Sequence, residues 1–337
     1  MRKIDIFNHI YPPGYYAKLM QMAPDYKDIG KRMRGIPMLA DLDVRFGVMD
    51  RFEDYEQVLS LPTPPIENIA RGADVVDLAR AANDGMAELV ARHPRRFPAF
   101  VASLPLSDPD AAVREAMRAI DELGARGIQL FTNVHGTPIS APQYLPIFEA
   151  LAARDLPIWL HPYRGADVAD FKAEARSEYE IWWTFGWPYE TSAAMARLVF
   201  AGHFDRFPEL KIITHHMGAM APYFAGRIGP GWDQLGARTS DGDLGAVLRT
   251  LKKRPLDYFK MFYADTALFG AYDGTVCGLG FFGADHVLFA SDAPFDPEKG
   301  PMYIRETIAI VDRLPIAADE RERIYWRNAV RLLKLPS

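Results

Sequence analysis

The chain has one cysteine, Cys277, in 337 residues, so no intrachain disulfide can form. That usage fits a reducing compartment. No apolar run approaches the ~20 residues needed to cross a bilayer. No basic block stands out, and the formal net charge is −5. Binding to nucleic acid or to an anionic membrane therefore gets no support. Internal repeats and low-complexity tracts are also missing. So are a Walker A motif, a GxGxxG turn after the first apolar run and a GxSxG elbow. Kinase, dinucleotide-binding and serine-hydrolase chemistries thus lack their residues. The first residues lead almost directly into an apolar strand, without the h-region of a secretory signal, and a cytoplasmic protein is expected.

What remains is ordinary for a globular enzyme, with 49% hydrophobic and 25% charged residues. Strand and helix signals alternate from end to end, the pattern of a parallel α/β fold. Apolar runs at Lys3–Phe7, Glu56–Leu61, Ala99–Ser103, Gly127–Phe131, Pro157–His161, Leu210–Thr214, Met261–Ala264 and His286–Ala290 make eight strands. Eight is the number that closes a (β/α)₈ barrel. Between them, Ser107-Asp108-Pro109 starts a helix that Gly124 ends, and Asp74 is expected to cap Val75–Arg92. Pro188–Phe204 and Ala318–Leu333 read as further helices. One domain over residues 1–337 is expected, with insertions at about 11–44 and 164–187 and a glycine- and aspartate-rich stretch at Gly229–Asp243. The first two follow strands 1 and 5 and would lie over the barrel mouth, where long loops shape specificity.

The polar residues at the strand ends carry the functional argument. His9 closes the first run, His161 the fifth and the pair His215-His216 the sixth, while Asp292 follows the eighth. All strand C-termini of such a barrel meet at one mouth, so these side chains should converge. His9, His161 and Asp292 suit a first-row divalent metal and leave positions for water or substrate. His93, His203 and His286 sit at helix ends or ahead of a strand and read as structural. His135, in the loop after strand 4, is a weak candidate for the site.

Several segments together resemble one family. They are Lys3-Ile4-Asp5-Ile6-Phe7-Asn8-His9-Ile10-Tyr11-Pro12, Leu160-His161-Pro162, Phe207 to Gly218, Phe289-Ala290-Ser291-Asp292-Ala293-Pro294-Phe295 and the ending Asn328 to Leu333. The chain is similar over essentially its whole length to the amidohydrolase-related family that includes aminocarboxymuconate-semialdehyde and γ-resorcylate decarboxylases. The resemblance implies a distorted TIM (β/α)₈ barrel holding one divalent metal, zinc foremost, with manganese or iron as alternatives. It puts His9, His161 and Asp292 on the ligand positions and His216 on that of a catalytic histidine. His216 is preferred to His215 because Pro222 and Gly226-Arg227-Ile228 then keep the family's spacing. Arg227 matches an arginine that, in dimeric relatives, reaches the partner's site to hold a carboxylate, which implies a homodimer. One position departs from the pattern. The family's first strand ends in His-x-His or Glu-x-His, and here the first of these is Phe7, which cannot coordinate a metal. Either three ligands serve alone, or His215 or His216 moves in, or the metal is lost.

The expected activity is non-oxidative decarboxylation of a small aromatic or enol carboxylic acid. His216 and Asp292 would handle protons, and Arg227 and Arg34 would hold carboxylates. Hydrolysis or hydration of a small carboxylic acid is the first alternative, since a metal-bound water could use the same ligands. A non-catalytic subunit paired with an active paralogue is the second, motivated by Phe7.

Overall fold

The computed structural model describes residues 1–240 and 242–336. Among the described residues, eight strands run in chain order around a barrel made of two sheets that meet at the break in the third strand: β1 (Lys3–His9), β2 (Tyr55–Ser60), β3 (Ala99–Phe100, continuing as Ala102–Ser103), β4 (Ile128–Phe131), β5 (Ile158–His161), β6 (Ile212–Thr214), β7 (Tyr263–Asp265) and β8 (Val287–Leu288). Every laddered neighbour pair is parallel. The ring closes where the chain beyond β8 meets β1. Ile6 N–H donates to the Phe289 carbonyl (3.0 Å), Asp292 N–H to the Phe7 carbonyl (2.9 Å) and His9 N–H to the Ala293 carbonyl (2.9 Å). Closure leaves the barrel itself without a free edge among the described residues.

The eight expected strands are all present, with shifted ends. β1 runs two residues further, to His9. β3 breaks at Val101, because its first half pairs with β2 and its second half with β4. β8 forms a ladder only over Val287–Leu288. Asp108 caps the helix Pro109–Asp121 by accepting from Ala111 N–H at 2.9 Å. Asp74 does not cap as expected. That helix begins at Ala73 behind Gly72, whose φ is 56°, and Asp74 lies in the first turn, where its charge favours the helix dipole. The expected Pro188–Phe204 helix is Gly186–Phe200, followed after a turn at Gly202 by the separate His203–Arg206. The insertion after β1 folds into short helices, including Pro13–Met22, Ile29–Arg34 and Leu42–Met49. Within the stretch 229–243, Asp241 lies outside the described residues.

The barrel interior is filled by Ile4, Ile6, Phe7, Val58, Val101, Trp159, Ile213 and Leu288, among others. The Trp159 indole N–H crosses it to donate to the Ile6 carbonyl at 3.0 Å. The β1–β2 register slips between Asp5 and Asn8. Such an irregularity re-aims side chains. Ile6 and Phe7 both belong to the interior, and Phe7 and His9 both turn toward the mouth, their rings 5.3 Å apart.

A buried polar network braces this irregular strand from outside. Arg45, fully buried, donates to Asn8 Oδ1 (3.3 Å), Gln57 Oε1 (2.6 Å), the Met38 carbonyl (3.1 Å) and the His9 carbonyl. Burial pushes its guanidinium down to about 10. Beyond Gln57, Tyr55 donates to Asp5, which also accepts from the Ser291 hydroxyl and N–H. The network therefore ties β1 and β2 to the segment that carries Asp292. Arg45→Met would strand several buried acceptors. We expect it to destabilise the fold by about 3–5 kcal/mol, the range for breaking buried charged networks. Chemical denaturation checks this, and a loss below about 1 kcal/mol would show that the network is not structural.

Candidate active site

His9, His161, His215, His216 and Asp292 meet at the C-terminal mouth of the barrel, all buried. Ring nitrogens of His9, His161 and His215 lie within 4.8 Å of one another, as do those of His215 and His216 and an Asp292 oxygen. Asp292 is the hub. Its Oδ1 is 3.0 Å from His9 Nε2 and 3.4 Å from His215 Nε2, and its Oδ2 is 3.7 Å from His216 Nε2. His216 and Asp292 both adopt left-handed backbone, with φ of 55° and 60°. For residues other than glycine this costs ~1–3 kcal/mol and persists where surroundings over-determine it, commonly at functional sites.

Three of the four imidazoles have one ring nitrogen committed to an outer partner. His9 Nδ1 is 3.1 Å from Ser60 Oγ, whose own hydrogen goes to the Asn8 carbonyl at 2.8 Å. Ser60 thus accepts from His9 Nδ1–H, and His9 Nε2 turns its lone pair toward Asp292. His161 Nδ1 donates to the Pro162 carbonyl at 2.7 Å. His215 Nδ1 donates to Asp265 Oδ2 at 2.5 Å. Asp265 is itself fixed by the backbone N–H groups of His216 and Ala267, both at 3.0 Å. Such outer acceptors set the tautomer and aim the other nitrogen inward, as metal-binding histidines require. His216 differs: its Nδ1 is buried with no partner among the described residues.

The electrostatics follow from burial and from the carboxylates. Burial lowers the pKa values of His9, His161 and His216, His161 most strongly, with the neighbouring His215 adding to the effect. Neutral imidazole is the form that binds metal. Burial pushes His215 the same way, but the charges of Asp265 and Asp292 outweigh it and raise His215 to about 10. Burial raises Asp292, yet the charge of the neighbouring His215 holds it well below the usual carboxylate range. The donor set fits a divalent cation on this structure's own evidence, because His9 Nε2 and Asp292 Oδ1 are two acceptors facing each other at 3.0 Å.

Aromatic rings wall the site. Phe7 stacks on His215, Trp187 lies 5.7 Å from His161, Phe295 5.2 Å from His9 and Phe269 5.3 Å from His216. Trp187 is also part of the lining of an adjacent cavity of about 260 Å³, together with Tyr26, Thr63, Tyr163, Arg164 and Trp182.

The other expected site residues stand apart. Arg34 is exposed on the helix Ile29–Arg34 and donates to the Tyr26 carbonyl at 2.9 Å. Arg227 is exposed on the helix Ala225–Trp232. His135 Nε2 donates to the Glu67 carbonyl at 3.1 Å. Two participants went unnoticed in the sequence. Ser60 and Asp265 each close a strand, β2 and β7, so the signal that marked His9 and His161 applied to them as well.

A closed (β/α)₈ barrel with a histidine and aspartate cluster at its mouth is the architecture of metal-assisted enzymes. The amidohydrolase family profile matches residues 4–335, and the chain belongs to that family. A γ-resorcylate decarboxylase from Polaromonas sp. strain JS666 is 32% identical over 305 residues, covering 87% of each chain. A crystal structure of 2,6-dihydroxybenzoate decarboxylase complexed with 2,6-dihydroxybenzoate superposes with a TM-score of 0.80 at 29% identity, covering 99% of this chain and 100% of the other. A dihydroxybenzoic acid decarboxylase from Polaromonas sp. JS666, solved with bound manganese and the inhibitor 2-nitroresorcinol, gives a TM-score of 0.78 at 30% identity, covering 99% and 97%.

Proposed function

We propose that the protein is a metal-dependent, non-oxidative decarboxylase of a small aromatic carboxylic acid, of the hydroxybenzoate kind. The observation that carries this reading is the convergence of His9, His161, His215, His216 and Asp292 at the barrel mouth, in a chain similar over most of its length to such decarboxylases. His9, His161 and Asp292 would hold one divalent ion. When bound, the ion supplies a Lewis acid that orients the substrate and draws electron density from the breaking carbon–carbon bond. Zinc suits a histidine-rich donor set, whereas a solved relative holds manganese; elemental analysis of the purified protein separates the two.

The chain's own residues handle the proton. In decarboxylation the bond to the carboxylate breaks, carbon dioxide leaves, and the electron pair on the ring carbon takes up one proton. His216 is the group placed to carry it, with a free Nδ1 and with Asp292 beside Nε2 to stabilise the imidazolium. Burial keeps His216 neutral at rest, so it takes its proton from the incoming substrate or from solvent. The aromatic walls exclude water and suit a flat ring. Arg164 is the guanidinium that lines the neighbouring cavity; Arg227 would act across a subunit boundary.

The test is a panel of ortho-hydroxybenzoates incubated with zinc- or manganese-loaded protein, with carbon dioxide measured. Release from at least one member is expected, and its loss on chelation. A loaded protein that releases none, yet cleaves an amide or ester or hydrates a double bond, would contradict decarboxylation.

We also propose a homodimer. Phe185, Tyr189 and Tyr223 are 75%, 57% and 79% exposed, and their two segments are joined by Met220 N–H donating to Ser192 Oγ at 3.0 Å. Exposed aromatics of this kind are enriched in interfaces. Light scattering at micromolar concentration should give the mass of two 37.9 kDa chains, and a monomer would contradict it. The lone cysteine also fits a reducing compartment such as the cytoplasm.

A further inference from the structure

Phe7 stands where the family's first strand normally supplies a ligand, and the structure shows what has taken its place. The Phe7 ring is fully buried and stacks on the His215 ring, with centroids 4.0 Å apart and planes at 14°. His215 is thus pressed by Phe7 into the same cluster of ring nitrogens as His9 and His161. Its Nδ1 is committed to Asp265, so Nε2 faces inward. That Nε2 is buried without a hydrogen-bond partner; Asp292 Oδ1 lies 3.4 Å away, outside hydrogen-bonding geometry. Asp265 is fully buried and held by two backbone N–H groups, so it cannot swing away from His215. A carboxylate behind a histidine whose other nitrogen is orphaned and points at two further imidazoles is the arrangement of a metal ligand with its outer support. His216 also has a buried ring nitrogen without a partner, but no carboxylate or carbonyl holds its ring from behind among the described residues.

We propose that His215 is the fourth protein ligand of the metal, replacing the one lost at Phe7, and that Asp265 positions it. This rests on the metal reading given above and extends it to a ligand from β6. Ligation exchanges the Nε2 proton of His215 for the cation, so Asp265 and Asp292 remain compensated in the buried site. The set becomes three imidazoles and one carboxylate. Imidazole-rich sets suit zinc better than manganese, which carboxylate and water serve well. Zinc should therefore bind the more tightly of the two.

The test uses zinc(II) as the probe and reads binding, not turnover. X-ray absorption on zinc-loaded wild-type protein should count three imidazoles, and two would overturn the proposal without any variant. Zinc affinity is then measured by competition with a chelator for wild type, His161→Ala, His215→Ala, Asp265→Asn and the double variant Phe7→Glu/His215→Ala, each checked for folding by its thermal transition. Asp265→Asn should weaken binding by ~10–100-fold, the usual effect of losing an outer partner, and His215→Ala by at least as much. Phe7→Glu should restore part of what His215→Ala loses, because it returns a ligand to β1. If His215→Ala keeps wild-type affinity while His161→Ala loses it, His215 is not a ligand and the decarboxylase reading stands. If wild-type protein binds neither zinc nor manganese, both fail together.

Discussion

His161→Ala is expected to leave the barrel folded, to remove the divalent ion and to abolish carbon dioxide release. The reason lies in how His161 is held. It closes β5, donates from Nδ1 to the Pro162 carbonyl, and presents its other nitrogen to the centre of the cluster. Burial keeps it neutral, the form a ligand needs. Alanine removes a donor that its neighbours do not replace: Phe7, Phe131 and Trp187 offer no ligand atom, and His9 and His215 already face the centre themselves. Metal analysis after dialysis and an assay on the same preparation check both losses at once. A variant with full metal content would show that His161 is not a ligand, whatever its activity.

His216→Asn should behave differently. Metal content should stay near that of wild type, while kcat falls by ~10²–10⁴-fold, the usual contribution of a positioned general acid. His216 has no outer acceptor, an unpartnered Nδ1 and only a 3.7 Å approach to Asp292, so it is free to carry a proton in a way the other three imidazoles are not. Asparagine keeps polarity at the site but cannot accept and return a proton near neutral pH. Full turnover in this variant would move the proton-handling role to Asp292 or to the substrate itself. Equal loss of metal and activity would instead make His216 a ligand.

Much of this arrangement was legible in the residues. Strands buried on both faces read as uninterrupted apolar runs, and the rule that barrel strands end at a shared mouth brought His9, His161, His216 and Asp292 together before any coordinates. Other features had no such marker. The slip between Asp5 and Asn8 in β1 is a one-residue irregularity stabilised by Arg45, a residue 36 positions beyond His9 in sequence. Asp265 was lost by ending its strand one residue early, at Ala264. Its role depends on β6 and β7 lying side by side, a pairing that local sequence does not display. The same holds for the choice between His215 and His216. Adjacent in the chain, they differ in what their ring nitrogens meet: Asp265 accepts from His215 Nδ1, while His216 Nδ1 has no hydrogen-bond partner among the described residues.

The proposed reaction replaces a carboxylate by a proton. Its most direct measurement is the product formed in D₂O from a hydroxybenzoate that the metal-loaded protein consumes, followed by NMR with carbon dioxide captured in parallel. One carbon dioxide per product and a single deuteron at the ring carbon that carried the carboxylate are expected. A product that keeps its carboxylate and has gained the elements of water would contradict it.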